Sequence, residues 1–188
     1  MKTSWIYKIF AGIYDIVIDG FYFKNYDKSP RKQVIGRIRN GDRVLDICTG
    51  TGINAIKIAK RRPACNVIGI DISKENIQNA REFAKLNNIT NSKFYCDRII
   101  SKLNEFEKEG YNVDVAIIDP PRKGAELQLL NYFQKSNIKK IIYVSCNPAT
   151  LAKNCNHLHK YYKVKYVQPL DMFPNTANVE TVVCLERI

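Results

Sequence analysis

From residue 43 onward, short β-rich runs alternate with segments whose apolar residues recur at helical spacing, and this alternation narrows the possible folds more than any other feature. Arg43–Cys48, Val67–Asp71, Lys93–Cys96, Val113–Asp119 and Ile141–Cys146 read as strands. Between them, Ile53–Arg61 places Ile53, Ile56 and Ile58 on a helical repeat before Pro63, and Lys74–Leu86 follows Ser73, a good N-cap, with Ile77, Ala80 and Ala84 in register. Strands separated by helices form a parallel sheet covered on both faces. Residues 162–172 and 181–187 are two further strand-like runs joined by a loop too short for a crossover helix, so they should pair antiparallel. The expected fold is therefore α/β and doubly wound, with a mostly parallel seven-stranded sheet that ends in a C-terminal antiparallel hairpin. In such folds ligands sit outside the carboxyl ends of the strands.

A chain of 188 residues with 45% hydrophobic and 26% charged residues suits one core, which excludes collagenous and disordered classes. We divide it into a sheet region, 41–188, and a segment 1–40 outside the sheet. In the latter, Trp5, Ile6, Ile9, Phe10, Ile13 and Ile16 recur roughly helically, which predicts a helix that packs on the domain or lids its cleft.

The net charge of +12 favours an anionic partner. It is uneven, because residues 122–165 hold nine basic side chains and only one acid, Glu126. Such a charged surface can serve solubility alone, and nucleic acid is the partner it otherwise suggests. Lys8, Asp15 and Asp19 interrupt the apolar patches of the first twenty residues, so neither a signal peptide nor a membrane span is expected. The six cysteines contain no C-x-x-C pair and no zinc-like spacing, so we expect no metal and a reducing, cytoplasmic setting.

The first strand runs through Asp46-Ile-Cys-Thr-Gly50-Thr-Gly52 directly into a helix, where Gly50 and Gly52 let backbone approach a ligand closely. Asp71, at the end of the second strand, is placed to accept hydrogen bonds from both hydroxyls of a ribose. Those features alone fit either a dinucleotide or an adenosyl cofactor. The acid at Asp46 separates the two, because D-x-C-x-G-x-G resembles the first motif of class I S-adenosylmethionine-dependent methyltransferases. That resemblance implies a Rossmann-like class I methyltransferase fold, with S-adenosylmethionine as cofactor and Asp97 facing the adenine.

Two more strand ends carry chemistry. The fourth gives Asp119-Pro-Pro-Arg122-Lys-Gly124 and the fifth Ser145-Cys146-Asn147-Pro148. Asp119 has an ordinary alternative as a cap of the following helix, and Cys146 as a small apolar strand end. However, Asn147 as N-cap and Pro148 in the first turn would set Cys146 at a helix N-terminus, where the dipole favours thiolate. Together with Y-V-S-C-N-P-A-T-L-A (Tyr143–Ala152), Gln168-Pro-x-Asp171-x-Phe-Pro and Val179-Glu180-Thr181-Val182, these motifs resemble the RNA 5-methyluridine methyltransferase family over roughly residues 43–188. The resemblance implies Cys146 as nucleophile, Glu180 as base and Asp119 as a contact to the substrate base or cofactor, with ribosomal or transfer RNA as substrate.

The sequence departs from that family in two ways. The family's RNA-binding barrel and central domain are not recognisable, which leaves room for a partner protein supplying RNA recognition, and Asn175 and Asn178 stand where the family has two histidines. Two other readings follow: a small-molecule or protein methyltransferase of the same fold, and a degenerate module that only binds RNA. Arg122 in place of an aromatic residue after the prolines argues against amino-group methylation.

Overall fold

The computed structural model describes residues 30–171, 175 and 179–188. The helix expected over Trp5–Ile16 lies outside these residues, as does Asn178. Among the described residues, helix α1 (Pro30–Gly36) leads into β1 (Arg43–Ile47), α2 (Ile53–Arg61), β2 (Asn66–Asp71), α3 (Lys74–Leu86), β3 (Ser92–Cys96) and α4 (Ile99–Lys108). The chain continues through β4 (Val115–Ile118), α5 (Leu127–Lys135), β5 (Lys140–Ser145), α6 (Pro148–Leu158), β6 (Tyr162–Leu170) and β7 (Glu180–Arg187). The strands form one seven-stranded sheet in the order β3-β2-β1-β4-β5-β7-β6. Pairs among β1 to β5 are parallel, whereas β7 runs antiparallel to both β5 and β6. The expected doubly wound sheet with an antiparallel hairpin is thus the observed one.

Near-continuous apolar runs such as Val-Ala-Ile-Ile in β4 follow from this position, because central parallel strands are covered on both faces. One face packs Val44, Ile117, Ile142, Val144 and Val182 against α1, α2 and α3. The other packs Leu45, Ile47, Ile118, Ile141 and Tyr143 against α4, α5 and α6. Within residues 1–40, Val34 and Ile35 of α1 and the following Ile38 are buried in the first of these cores.

Strand β4 is shorter than the predicted Val113–Asp119 because Asp114 does other work. Its carboxylate accepts from the Arg43 backbone and guanidinium at 2.9–3.2 Å and from Lys139 Nζ at 3.1 Å, which ties the starts of β1, β4 and β5 together. The Arg43 guanidinium holds Asp114 well below the usual carboxylate range. Among the described residues, no helix is long and apolar enough to cross a membrane.

The topology changes direction between β1 and β4: from β1 the chain steps outward to β2 and β3, then returns to β4 and β5. A crevice opens at such a switch point, above the carboxyl ends of the two strands. Asp46 in β1 and Asp119, just past β4, flank it.

Candidate active site

The pleat decides which side chains reach the crevice together. Alternate residues of a strand point to the same face. Val44, Val115, Ile117, Ile142, Val144 and Val182 belong to the α1–α3 face, and the same parity sets Asp46 of β1 and Glu180 of β7 on it, while Asp119 and Cys146 directly follow β4 and β5. Asp71 follows Val67 by the same rule.

Asp46 is 1% exposed, and its Oδ2 accepts from Thr49 Oγ1 at 2.5 Å. Burial pushes its carboxyl up to about 7, with the charges of Asp119 and Asp71 adding to the effect and the Thr49 bond opposing it. A buried carboxyl among two other acids is poised to ionise when a cation arrives beside it.

The turn after β1 takes an unusual path, with φ positive at Cys48, Gly50 and Gly52. The two motif glycines have different jobs. A Cβ on Gly52 would lie 2.7 Å from Ala80 Cβ and 2.8 Å from Phe94 Cε1, so this position is required by helix packing. A Cβ on Gly50 would meet no atom within 4 Å, so its bare backbone borders open space. Gly50 N donates to Asp71 Oδ2 at 2.9 Å, and Ser73 N donates to Asp71 Oδ1 at 2.9 Å. Each carboxylate oxygen keeps acceptor capacity, which suits it to a pair of vicinal hydroxyls. Asp97, beyond β3, donates its backbone N–H to Asp71 O at 3.1 Å, and its Oδ1 accepts from Arg98 N at 2.6 Å. The residues expected to hold the cofactor therefore line the carboxyl ends of β1, β2 and β3 in sequence.

The second half of the site lies over β4, β5 and β7. Strands β5 and β7 pair from Lys140↔Glu186 to Ser145↔Thr181; Cys146 directly follows the last of these residues in β5, and Glu180, which pairs with Leu170 of β6, directly precedes the last in β7. Glu180 is half-buried, and burial raises its carboxyl above the usual range, with the Asp119 charge adding to the rise. Asp119 itself is exposed, and it is no helix cap: α5 begins at Leu127, with Glu126 before it.

The helix start expected after Cys146 is present. Asn147 Oδ1 accepts from Ala149 N at 3.0 Å and Thr150 N at 3.3 Å, and Pro148 occupies the first turn of α6. Burial pushes Cys48 and Cys155 up to about 11, so neither supplies a thiolate near neutral pH. Asn175 is exposed in a turn with φ of 68°.

Sequence reasoning missed Thr49, which holds Asp46, and Gly69, where a Cβ would meet Phe94 at 2.6 Å and Thr49 at 2.9 Å. The glycine in the middle of an otherwise apolar β2 was the available signal for that close approach. It also missed a polar cluster around Tyr143 and Asn154, whose only mark in the sequence is a helical spacing of Asn147, Thr150 and Asn154.

Comparison with known proteins gives a consistent result. The profile of the tRNA (uracil-5-)-methyltransferase family matches residues 35–188. An uncharacterized RNA methyltransferase of Bacillus cereus is 40% identical over 150 residues, covering 80% of this chain and 32% of that protein. The crystal structure of Pyrococcus abyssi tRNA (uracil-54, C5)-methyltransferase with S-adenosyl-L-homocysteine is 31% identical, with a TM-score of 0.69, covering 82% of this chain and 36% of that one. The ribosomal protein L11 methylase of Lactobacillus delbrueckii, 21% identical with a TM-score of 0.66, shares the fold. The chain spans about a third of the length of the curated relatives it matches.

Proposed function

The chain belongs to the tRNA (uracil-5-)-methyltransferase family, and on that premise we propose that it is an S-adenosylmethionine-dependent RNA methyltransferase acting on carbon 5 of uridine through a cysteine adduct. What supports this reading is that Cys146 and Glu180 adjoin Ser145 and Thr181, the last pair of the β5–β7 ladder, at the end of the sheet where Asp46, Asp71 and Asp119 also stand.

The residues at the ends of β1, β2 and β3 fit the cofactor: the Gly50 backbone borders open space, Asp71 has acceptors for ribose hydroxyls, and Asp46 can ionise beside a sulfonium. S-adenosylmethionine supplies an electrophilic methyl group to carbon 5 of the base. Carbon 5 of uracil is too weak a nucleophile unaided, and addition of the Cys146 thiolate to carbon 6 turns the ring into an enolate that is nucleophilic at carbon 5. After methylation, the Glu180 carboxylate takes the carbon 5 proton. The electrons of that C–H bond form the C5–C6 double bond and expel Cys146 as thiolate. Raising Glu180 by burial brings a weak carboxylate base closer to the working pH.

The base must leave its stack to reach this crevice, which is easiest in an RNA loop. The basic run 122–165, whose exposed Arg122 and Lys123 follow Asp119 directly, supplies phosphate-facing charge for a transfer or ribosomal RNA. In this reading α1 and the following Ile38 form part of the cover of the same face.

The test is methyl transfer from labelled S-adenosylmethionine into unmodified transfer and ribosomal RNA transcripts, with digestion to nucleosides and Cys146→Ala alongside. Labelled 5-methyluridine that vanishes in the variant is the expected result. No label in any RNA while cofactor binding persists would overturn the reading.

A further inference from the structure

One face of α6 is polar and only partly exposed. Asn147, Thr150 and Asn154 are spaced three and four apart, which aligns them along the helix. All three reach the loop that follows β4. Asn147 Nδ2 donates to Arg122 O at 3.4 Å, and Thr150 Oγ1 donates to the same carbonyl at 3.3 Å. Ala125 N donates to Asn154 Oδ1 at 2.9 Å and to Tyr143 Oη at 3.0 Å, while Tyr143 Oη–H donates to Asn154 Oδ1 at 2.7 Å.

Tyr143 sits in the middle of β5 with no exposed surface, and its hydroxyl reaches these partners and no solvent. Burial pushes that hydroxyl up to about 12, so it remains a donor at any working pH. Gly124 has φ of +88°, and a Cβ there would lie 2.7 Å from Asn154 Oδ1. The loop is thus drawn onto Asn154 as closely as bare backbone permits.

Asp119 stands at the start of this loop, and Pro120 and Pro121 lie between it and the anchored residues. Two consecutive prolines have fixed φ angles, which limits how much of a displacement at the anchor is absorbed before Asp119. At the other end, the helix that makes the anchor begins immediately after Cys146. Resting on the functional reading above, we propose that Asn154 and Tyr143 are positioning residues that clamp the Asp119 loop to the Cys146 turn and so hold the two halves of the reaction site in one geometry. Neither touches substrate in this assignment. They act through the loop.

The experiment uses the full chain and Asn154→Ala, Asn154→Asp and Tyr143→Phe. Amide exchange over residues 119–126 is followed first, without RNA. Asn154→Ala and Tyr143→Phe should each speed exchange at Ala125 by about tenfold or more, since an amide loses an acceptor, whereas Asn154→Asp keeps that acceptor. Steady-state methylation is measured next. Asn154→Ala should lower kcat by about tenfold with KM for RNA changed by less than about twofold, and Asn154→Asp should restore the rate to within about threefold of wild type.

Unchanged exchange at Ala125 overturns the clamp, and so does an equal loss of kcat in the alanine and aspartate variants, or an effect confined to KM. If Asn154→Ala does not fold, Tyr143→Phe carries both measurements, because it removes only a hydroxyl. A wild-type protein that does not methylate RNA overturns the functional reading, while the exchange experiment still decides the clamp.

Discussion

Cys146 and Glu180 stand one residue beyond Ser145 and Thr181, the last paired positions of the β5–β7 ladder, on strands that run in opposite directions. Their place at one end of the sheet is a product of the antiparallel run of β7. In a wholly parallel sheet the start of a seventh strand would lie at the far end of the molecule from Cys146.

If Cys146 adds to the base and Glu180 removes the proton that lets it leave, the two substitutions should fail differently. Glu180→Gln should still form the adduct and accumulate a covalent protein–RNA species, visible as a shifted band in denaturing gels. Cys146→Ala should form none. A Glu180→Gln protein that releases product at the wild-type rate would remove Glu180 from the mechanism.

Asp119 helps to raise Glu180, so its charge should be legible in the pH profile. A base must be deprotonated to act, so activity rises with pH through the Glu180 pKa. Asp119→Asn removes the neighbouring negative charge and lowers that pKa, which should move the acidic limb to lower pH even where the maximal rate falls. A limb that stays in place would assign the titration to another group.

Asp46 predicts a stability effect of defined sign. Its folded pKa of about 7 lies above its ordinary value of 3.8, so between these limits the folded state holds a proton that the unfolded state has released. Its contribution is complete below pH about 4 and declines towards pH about 7, with a slope approaching about 1.4 kcal/mol per pH unit. Asp46→Asn keeps an acceptor for Thr49 and should abolish this decline. Urea unfolding of both proteins at several pH values between 4 and 8 reads the difference directly.

The two motif glycines should separate stability from ligand binding. Gly52→Ala combines φ of +77° with a Cβ 2.7 Å from Ala80 and should cost about 3 kcal/mol or more in unfolding experiments. Gly50→Ala meets no protein atom and should cost only the strain of its φ of +56°, about 1–2 kcal/mol. Its larger effect should be on the binding of S-adenosylhomocysteine, measured by calorimetry.

Much of the site was legible because particular residue types have few reasons to stand where they do. Asp46 before a glycine turn, Asp71 ending the next strand and Asn147-Pro148 after Cys146 each announced a strand end or a helix start, and each is found there. The bounds of β4 were less legible, since Asp114 could be read as part of the strand until its ion pairs with Arg43 and Lys139 were seen. The Tyr143–Asn154 cluster was not legible at all. A tyrosine inside an apolar strand and an asparagine on a helix look ordinary until the loop between them folds back.

What the sequence determined by itself was local: the alternation of periods two and 3.6, the breaks at glycine and proline, and the short motifs that mark strand ends, all of which depend on neighbours in the chain. The tertiary structure decided which of these distant ends share a face. Asp46, Asp119, Cys146 and Glu180 span 135 positions of the chain, and only strand order and direction bring them to one end of the sheet. The same packing set their electrostatics, because the rise of Asp46 and of Glu180 comes first from exclusion of water and then from charges carried in by other strands. Neither quantity is a property of a residue and its sequence neighbours.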